Sequence, residues 1–486
     1  MKLLERLFRR KPAAGGCDGD CRCGSKGPRT NPGPARPDLS WVAEWIERVR
    51  EYIWVRAEDE VLIQRPNKAV KLNPSAVRLL GRLLAGESID EILAPYGADP
   101  APWRDTERFL LDVRKLLKDG LPDTYASPAV EKVPFTMDFS PLPVLSEVAV
   151  TYRCNAACVF CYAGCNCTAN PVGNADEMSL AEVKQVLDRL VDEAKVPSVS
   201  FTGGEATLRP DLPDMIRHAR ARGMRVNLIS NGITSASPAY ARKLAEAGLH
   251  SAQISIEGTT AEVHEAVTAI PGSFAKALAG LRNLREAGVR VHTNTTILRT
   301  NVHDVAAFPR FVKEVLGNAA FSMNLVIPTG SAPVNGGLEV PYTEIGPILV
   351  EIAERSAALG VEFMWYSPTP MCIFNPIVHG LGNKGCSACD GLISVGADGQ
   401  VLPCASYDEP VGDFLREGFA AVWQSARAKE LRNKGEAHPA CRACEQFEIC
   451  HGACPLYWRA MGFGELDAVH GRAPQPARRA LPVVAS

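Results

Sequence analysis

Tyr152-Arg153-Cys154-Asn155-Ala156-Ala157-Cys158-Val159-Phe160-Cys161-Tyr162 decides how the rest of the 486-residue chain is read. Three cysteines stand at spacing C-x3-C-x2-C, with an aromatic residue before the last. Cysteine thiolates are the usual ligands of iron–sulfur clusters. A four-iron cube held by three closely spaced thiolates keeps one iron open, and an open iron can bind a second molecule. A structural zinc knuckle is the bland alternative, but zinc sites usually show two C-x2-C pairs or Cys/His pairs. The stretch 144–151 reads as a strand, so the cysteine loop sits at a strand's C-terminal end, where α/β barrels place their sites.

Outward from that loop, strands and helices alternate. Strands are predicted at 198–202, 225–230, 252–256, 289–296 and 320–326. Helices are predicted at 179–194, 212–222, 239–247, 273–287, 302–316 and 342–359. Ser179 with Glu182 three residues on is a capping box. Six strand–helix units predict an α/β fold with a parallel sheet.

The cysteine spacing, with Phe160 before Cys161, resembles the signature of the radical S-adenosylmethionine (radical SAM) superfamily, and the six units match its partial (β/α)6 barrel. The resemblance implies that Cys154, Cys158 and Cys161 are catalytic ligands of a [4Fe-4S] cluster whose open iron chelates the methionine part of S-adenosylmethionine. It implies reductive cleavage of that sulfonium to a 5′-deoxyadenosyl radical, which takes a hydrogen atom from substrate. The cofactor carries the hard chemistry and the protein orients it. Phe201-Thr202-Gly203-Gly204-Glu205 ends the second strand. In the family this element binds the SAM amino group, with glycines for close backbone approach and Glu205 as acceptor. Ser230 and Asn231 end the third strand, where the family places SAM contacts. Ser255 and Glu257 end the fourth, near adenosine and substrate. Relatives favour Asp at position 257 and Arg at position 268. Thr268 cannot supply a cation, so the SAM carboxylate partner stays unassigned. Cys165 and Cys167 follow the cluster loop and read as substrate-facing or, the better reading, as spare thiols.

A second cysteine pattern follows: Cys389-x9-Gly399-x4-Cys404, then Cys441-x2-Cys444-x5-Cys450-x3-Cys454. It resembles the SPASM domain, which carries one or two auxiliary iron–sulfur clusters. The resemblance implies that Cys389, Cys404 and Cys454 bind a first auxiliary cluster, with Cys386 or Cys372 as the fourth ligand. It implies that Cys441, Cys444 and Cys450 bind a second. The family's seventh cysteine is missing, and Asp467 or His470 falls in its neighbourhood. Ligand type would then tune the cluster.

Upstream, residues 41–125 read as a compact unit with a helix from 41, three short strands within 52–73, and helices from 74, 88 and 102. Ser88 and Glu91 form another capping box. Strands followed by helices resemble the PqqD-like winged-helix domain, a peptide-recognition element. The resemblance, over 52–121, implies that a strand edge within 52–72 takes up a leader peptide by β-augmentation. The bland alternative is an accessory winged helix that only packs on the barrel. The domains predicted are a disordered leader 1–40 holding Cys17, Cys21 and Cys23, the peptide-recognition unit 41–125, a linker 126–143, the barrel 144–365, the auxiliary-cluster domain 366–470 and a disordered tail 471–486.

Composition excludes several classes. Hydrophobic residues make up 46% and charged residues 22%, ordinary for a soluble globular protein. A net charge of −2 leaves no global footprint for nucleic acid. No apolar run spans a membrane, and the first twelve residues lack a secretory signal. Sixteen cysteines without such a signal point to metal rather than disulfides, hence to a cytoplasmic, low-oxygen setting. The expected function is modification of a ribosomally made peptide, with ferredoxin or flavodoxin as electron donor. An auxiliary cluster could accept the leftover electron, so a thioether or carbon–carbon cross-link is expected over methylation. The alternatives are a maturase of a folded protein (formylglycine or quinone-cofactor type), a small-molecule enzyme of haem or cofactor biosynthesis, and a non-catalytic electron-transfer protein.

Overall fold

The computed structural model describes residues 36–65, 68–117, 141–165 and 177–470. Cys17, Cys21, Cys23, Cys167 and the tail 471–486 lie outside the described residues, as does most of the predicted linker. The chain divides into two compact units, 1–134 and 135–486.

In the first unit, helix Trp41–Val49 precedes an antiparallel meander of β1 (Ile53–Arg56), β2 (Val61–Gln64) and β3 (Lys68–Lys71). Helices Pro74–Leu84, Ile89–Leu93 and Pro100–Leu116 follow. Each starts for a local reason. Asn73 accepts from the Ser75 and Ala76 N–H groups, Ser88 and Glu91 complete their capping box, and Asp99 accepts from the Ala101 N–H. The last helix begins at Pro100 rather than 102 because Asp99 caps it. Val42, Leu62, Leu80, Phe109 and Leu110 form the core. Arg56 is buried and meets Asp59 through two 2.8 Å bonds across the β1–β2 turn. The two outer strands, β1 and β3, each pair within this sheet with β2 alone.

The second unit is built on ten strands: β4 (Leu145–Ala149), β5 (Ser198–Thr202), β6 (Arg225–Ser230), β7 (Ser251–Ser255), β8 (Arg290–Ile297), β9 (Ala320–Leu325), β10 (Glu362–Trp365), β11 (Leu392–Val395), β12 (Gln400–Leu402) and β13 (Gly412–Asp413). Their order is β10-β9-β8-β7-β6-β5-β4-β11-β12-β13. From β10 to β11 every pair is parallel, and β12 and β13 are antiparallel additions. The six predicted strands form in sequence order, and five of the six helices that follow them form as expected. Their helices bury Val183, Val186, Leu187, Met215, Ile216, Leu281, Ile345 and Leu349 against the sheet.

Three features depart from the sequence reading. The helix expected over 302–316 is a 3-10 turn at Val305–Ala307, a short α-helix Phe308–Phe311 and a π-turn Val312–Leu316. An unpredicted helix, Ala261–Thr268, follows β7, with Thr260 capping it through the Val263 N–H. And the sheet does not stop with the barrel strands. β11, from the cysteine-rich region, pairs in parallel with β4, Leu392 to Val395 lying opposite Leu145 to Val148.

Parallel sheets covered on both faces read as continuous apolar runs. Here buried and half-buried residues alternate along β6, β7 and part of β8. Apart from Ile229 and Val291 the half-buried residues are polar, and several are bonded across strands. Asn227 donates to Ser200 (3.2 Å), Ser251 to Asn227 (2.8 Å), and Asn294 to Asn324 (2.7 Å). One face of the sheet is therefore the packed helix layer and the other is a polar wall.

Candidate active site

The cysteine loop is held by its backbone from three sides. Gly204 N–H donates to Thr151 O (2.8 Å) and Glu205 N–H to Arg153 O (2.9 Å), so the end of β5 is stitched to the loop's entry. Ala157 N–H donates to Thr268 O (3.1 Å) and Val159 N–H to Val267 O (3.0 Å), both from the unpredicted helix. Ser331 N–H donates to Cys161 O (2.9 Å), from the loop after β9. The Tyr162 hydroxyl donates to Gly203 O (3.2 Å). Val159 and Phe160 pack on a small cluster of Val267, Leu298, Val326, Ala332 and Leu338, which explains an aromatic residue before Cys161.

The glycines leave no slack. A Cβ on Gly203, whose φ is +133°, would lie 2.1 Å from Thr151 O, and one on Gly204 would lie 2.4 Å from Arg153 O. Gly330 likewise would place a Cβ 2.2 Å from Cys161 O. These three positions need glycine because backbone occupies the space of a side chain.

Glu205 is 1% exposed, and its carboxylate is turned into the protein. Oε1 accepts from the Thr207 N–H (3.1 Å), the Thr207 hydroxyl (2.6 Å) and the Ser230 hydroxyl (2.9 Å). Oε2 accepts from the Asn231 N–H (2.8 Å). Burial pushes its pKa up against these four bonds. Asn231, fixed this way, donates its side-chain amide to Asn155 Oδ1 (2.7 Å) and points the same nitrogen at Cys154 Sγ (3.9 Å). The structure thus links Glu205, Ser230 and Asn231 to the first cysteine. Ser255 is half-buried at the end of β7.

Glu257 is buried; its Oε2 accepts from the Thr296 N–H (2.8 Å), and burial pushes its pKa up to about 8. Thr268 spends its hydroxyl on Ser273 (2.8 Å) and its carbonyl on the cysteine loop. It serves the site through its backbone, a role no side-chain reading could detect.

His264, on the same helix, is 2% exposed, and its Nδ1 accepts from the Glu257 N–H (3.0 Å). Burial holds its pKa down to about 4. A depressed histidine pKa means stability present above the unfolded value near 6.5 and lost as pH falls through 4. Its share of that loss is expected to reach about 3 kcal/mol. His264→Asn, which can still accept but not titrate, is expected to lose less stability than wild type between pH 7 and 4.5 in denaturant midpoints. Equal pH dependence in both proteins would refute the assignment.

The remaining cysteines fall into two sets. Cys386, Cys389, Cys404 and Cys454 are electrostatic neighbours in the first, around the β11–β12 turn. Cys372, Cys441, Cys444 and Cys450 are neighbours in the second. Cys165 donates to Cys161 and holds that thiol's pKa down. Burial pushes Cys154 and Cys441 up to about 11, and Cys389 and Cys454 to about 12.

The twelve cysteines among the described residues are free of disulfides. Among those residues no three donors converge on a single-ion site. A cube asks for something else, since each thiolate binds its own iron. The donor set fits it: thiols grouped by three and four, desolvated so that ligation needs a cation's charge, with N–H groups aimed at sulfur. Ala156 N–H reaches Cys154 Sγ at 3.4 Å, Met371 N–H reaches Cys450 Sγ at 3.3 Å, and Gln446 N–H reaches Cys444 Sγ at 3.4 Å.

Comparison with known proteins agrees with this geometry. Residues 148–312 match the radical SAM superfamily, and residues 386–445 match the SPASM iron–sulfur cluster-binding domain. The AdoMet-dependent heme synthase of Oleidesulfovibrio alaskensis is 30% identical over 343 residues, 67% of this chain and 85% of that protein. The mycofactocin maturase MftC of Mycobacterium tuberculosis is 30% identical over 326 residues, 64% of this chain and 78% of that protein. The crystal structure of Streptococcus suis SuiB bound to its precursor peptide SuiA is similar in fold. It has a TM-score of 0.62 and 14% identity, covering 84% of this chain and 96% of that one.

Proposed function

This chain belongs to the radical SAM superfamily and is an enzyme of it with a SPASM domain, and on that footing we propose that it modifies a ribosomally made precursor peptide. The observation that carries the reading is the first unit. It is a three-stranded meander whose outer strands lack a second partner within the sheet, on a chain whose fold runs along that of SuiB over 84% of its length. An edge strand offers a row of main-chain donors and acceptors to an extended leader. Tethering the leader would raise the local concentration of the segment to be modified.

In this reading Cys154, Cys158 and Cys161 hold the [4Fe-4S] cluster that binds SAM. When bound, cluster and SAM supply a hydrogen-abstracting radical. The chain's own residues do the placing. Gly203 and Gly204 let the end of β5 press on the loop. Glu205 fixes Asn231 and Ser230, and Ser255 and Glu257 face the adenosine side. Cys386, Cys389, Cys404 and Cys454 hold one auxiliary cluster, and Cys441, Cys444 and Cys450 a second. The polar wall of β6 to β9 receives the segment to be cross-linked, through a thioether or carbon–carbon bond. A small ferredoxin or flavodoxin supplies electrons.

A second reading has a specific support: several relatives at 26–30% identity are haem synthases, which favours a tetrapyrrole substrate. One experiment separates the two. The full chain, held anaerobic and reduced, is incubated with SAM and host peptide extract, and bound peptides are identified by mass spectrometry. Paired variants Ala69→Pro and Val70→Pro go alongside. Neighbouring strand residues point their N–H groups to opposite edges, so one variant removes an outward donor. The expected result is one peptide lost from that variant while SAM cleavage persists. SAM cleavage with no peptide enriched would sink the peptide reading in favour of the tetrapyrrole.

A further inference from the structure

The second auxiliary set has three cysteines from one short stretch, Cys441, Cys444 and Cys450. A cube has four irons to ligate, and residues 455–486 contain no cysteine. Two candidates from sequence stand near the end of the described chain. Asp467 is largely exposed, its carboxylate 3.5 Å from Nε2 of His438, the residue that caps the short helix carrying Cys441. His470 is the last residue of helix Gly464–His470.

The turn after β10 brings a different donor. Ile373 and Phe374 N–H groups both close on Pro370 O, at 2.9 and 3.0 Å, so the 370–374 turn is fixed. From it the Met371 N–H reaches Cys450 Sγ at 3.3 Å. The next residue is Cys372, which that hydrogen bond brings beside Cys450 and whose thiol feels the charge of Cys450, Cys441 and Cys444. The alternative partner set is already complete, since Cys386 stands with Cys389, Cys404 and Cys454. Lys434 fixes Cys386 there by donating to its carbonyl at 2.7 Å.

We propose that Cys372 supplies the fourth thiolate of the cluster held by Cys441, Cys444 and Cys450, replacing the cysteine the SPASM pattern puts after Cys454. This rests on the reading that those three cysteines hold a cluster. Ligation releases the thiol proton to solvent, forms one iron–sulfur bond and changes no oxidation state. It also ties the cluster to the end of the barrel, seven residues past Trp365.

Cys372 is exposed, and that makes the test sharp. An exposed thiol without iron reacts with an alkylating agent; a ligated one does not. The wild-type holoprotein is treated anaerobically with iodoacetamide, before and after iron removal by a chelator, and labelling at each cysteine is read by mass spectrometry. Cys372 and Cys450 are both expected to be protected in the holoprotein and to label at least tenfold faster once iron is removed. Full labelling of Cys372 in the holoprotein, with Cys450 protected, would overturn its ligation and leave the cluster standing. Labelling of both would overturn the cluster and this inference together. Cys372→Ala is expected to lose as much iron as Cys450→Ala, up to about four per chain, with the low-temperature electron paramagnetic resonance signal of that cluster. Retention of both iron and signal in Cys372→Ala, with loss in Cys450→Ala, would again overturn it.

Discussion

Gly204→Ala is expected to lower SAM cleavage by at least about 100-fold while the chain stays folded. The added Cβ would stand 2.4 Å from Arg153 O and 2.7 Å from Tyr152 O, where ordinary contacts begin near 3.4 Å. Both obstacles are backbone, so no side chain can swing aside. The cysteine loop must retreat by ~1 Å, and a misplacement of about 1 Å at a reacting centre can cost 10²-fold. The retreat also pulls on the Gly204–Thr151 and Glu205–Arg153 hydrogen bonds that seat the loop. Gly203→Ala adds a strained φ of +133° and should be worse. The measurement is 5′-deoxyadenosine formed per minute by anaerobic, reduced protein, with iron content determined on the same sample. A wild-type rate in Gly204→Ala would show that the close approach does not set the loop's position.

Glu205 provides the second large effect. Its two oxygens accept four hydrogen bonds that join the end of β5 to the end of β6. Glu205→Ala strands three buried donors and the half-buried Asn231 N–H, and breaking such a buried network costs about 3–5 kcal/mol. Glu205→Gln is more informative. If the amide oxygen keeps the Thr207 and Ser230 bonds, its NH2 is pushed against the Asn231 N–H, donor against donor. The expected loss is about 1–3 kcal/mol, with Asn231 released from its place beside Cys154. Urea midpoints report the stability and equilibrium dialysis reports SAM affinity. Weakened SAM binding by Glu205→Gln with an unchanged midpoint would mean that the carboxylate contacts SAM rather than positioning Asn231.

Much of this architecture was legible because each element announces itself locally. The capping boxes at Ser88 and Ser179 both form, and the six strands with five of their helices follow their apolar periods. What was hidden has physical reasons. The segment 302–316 looks helical by pattern, but Pro309 in the first turn and a π-turn before Gly317 break it into three pieces. Helix Ala261–Thr268 is only eight residues and carried one signal, the Thr260 cap. Strands β11 to β13 are two to four residues long, too short for alternation to show among cysteines and glycines. At the site, the three-cysteine motif and the Gly-Gly-Glu turn could be found by spacing. The anchoring of the cysteine loop by the backbone of Val267 and Thr268 could not, since it depends on no particular side chain. The grouping of Cys372 with cysteines some seventy residues later is likewise a property of the folded chain alone.

The pairing of β11 with β4 has a mechanical meaning. β4 is the strand that runs into the cysteine loop, and four residues of β11 lie in register along it. A parallel ladder of that kind has no hinge. The cysteine-rich region and the loop that would carry the SAM-binding cluster therefore move as one plate, and a cut after residue 365 would leave β4 as a raw edge. The far border of the sheet is different, since β10 pairs there with β9 alone among the described strands. The enzyme is then a fixed bench with one loose end, rather than two jaws closing on their work.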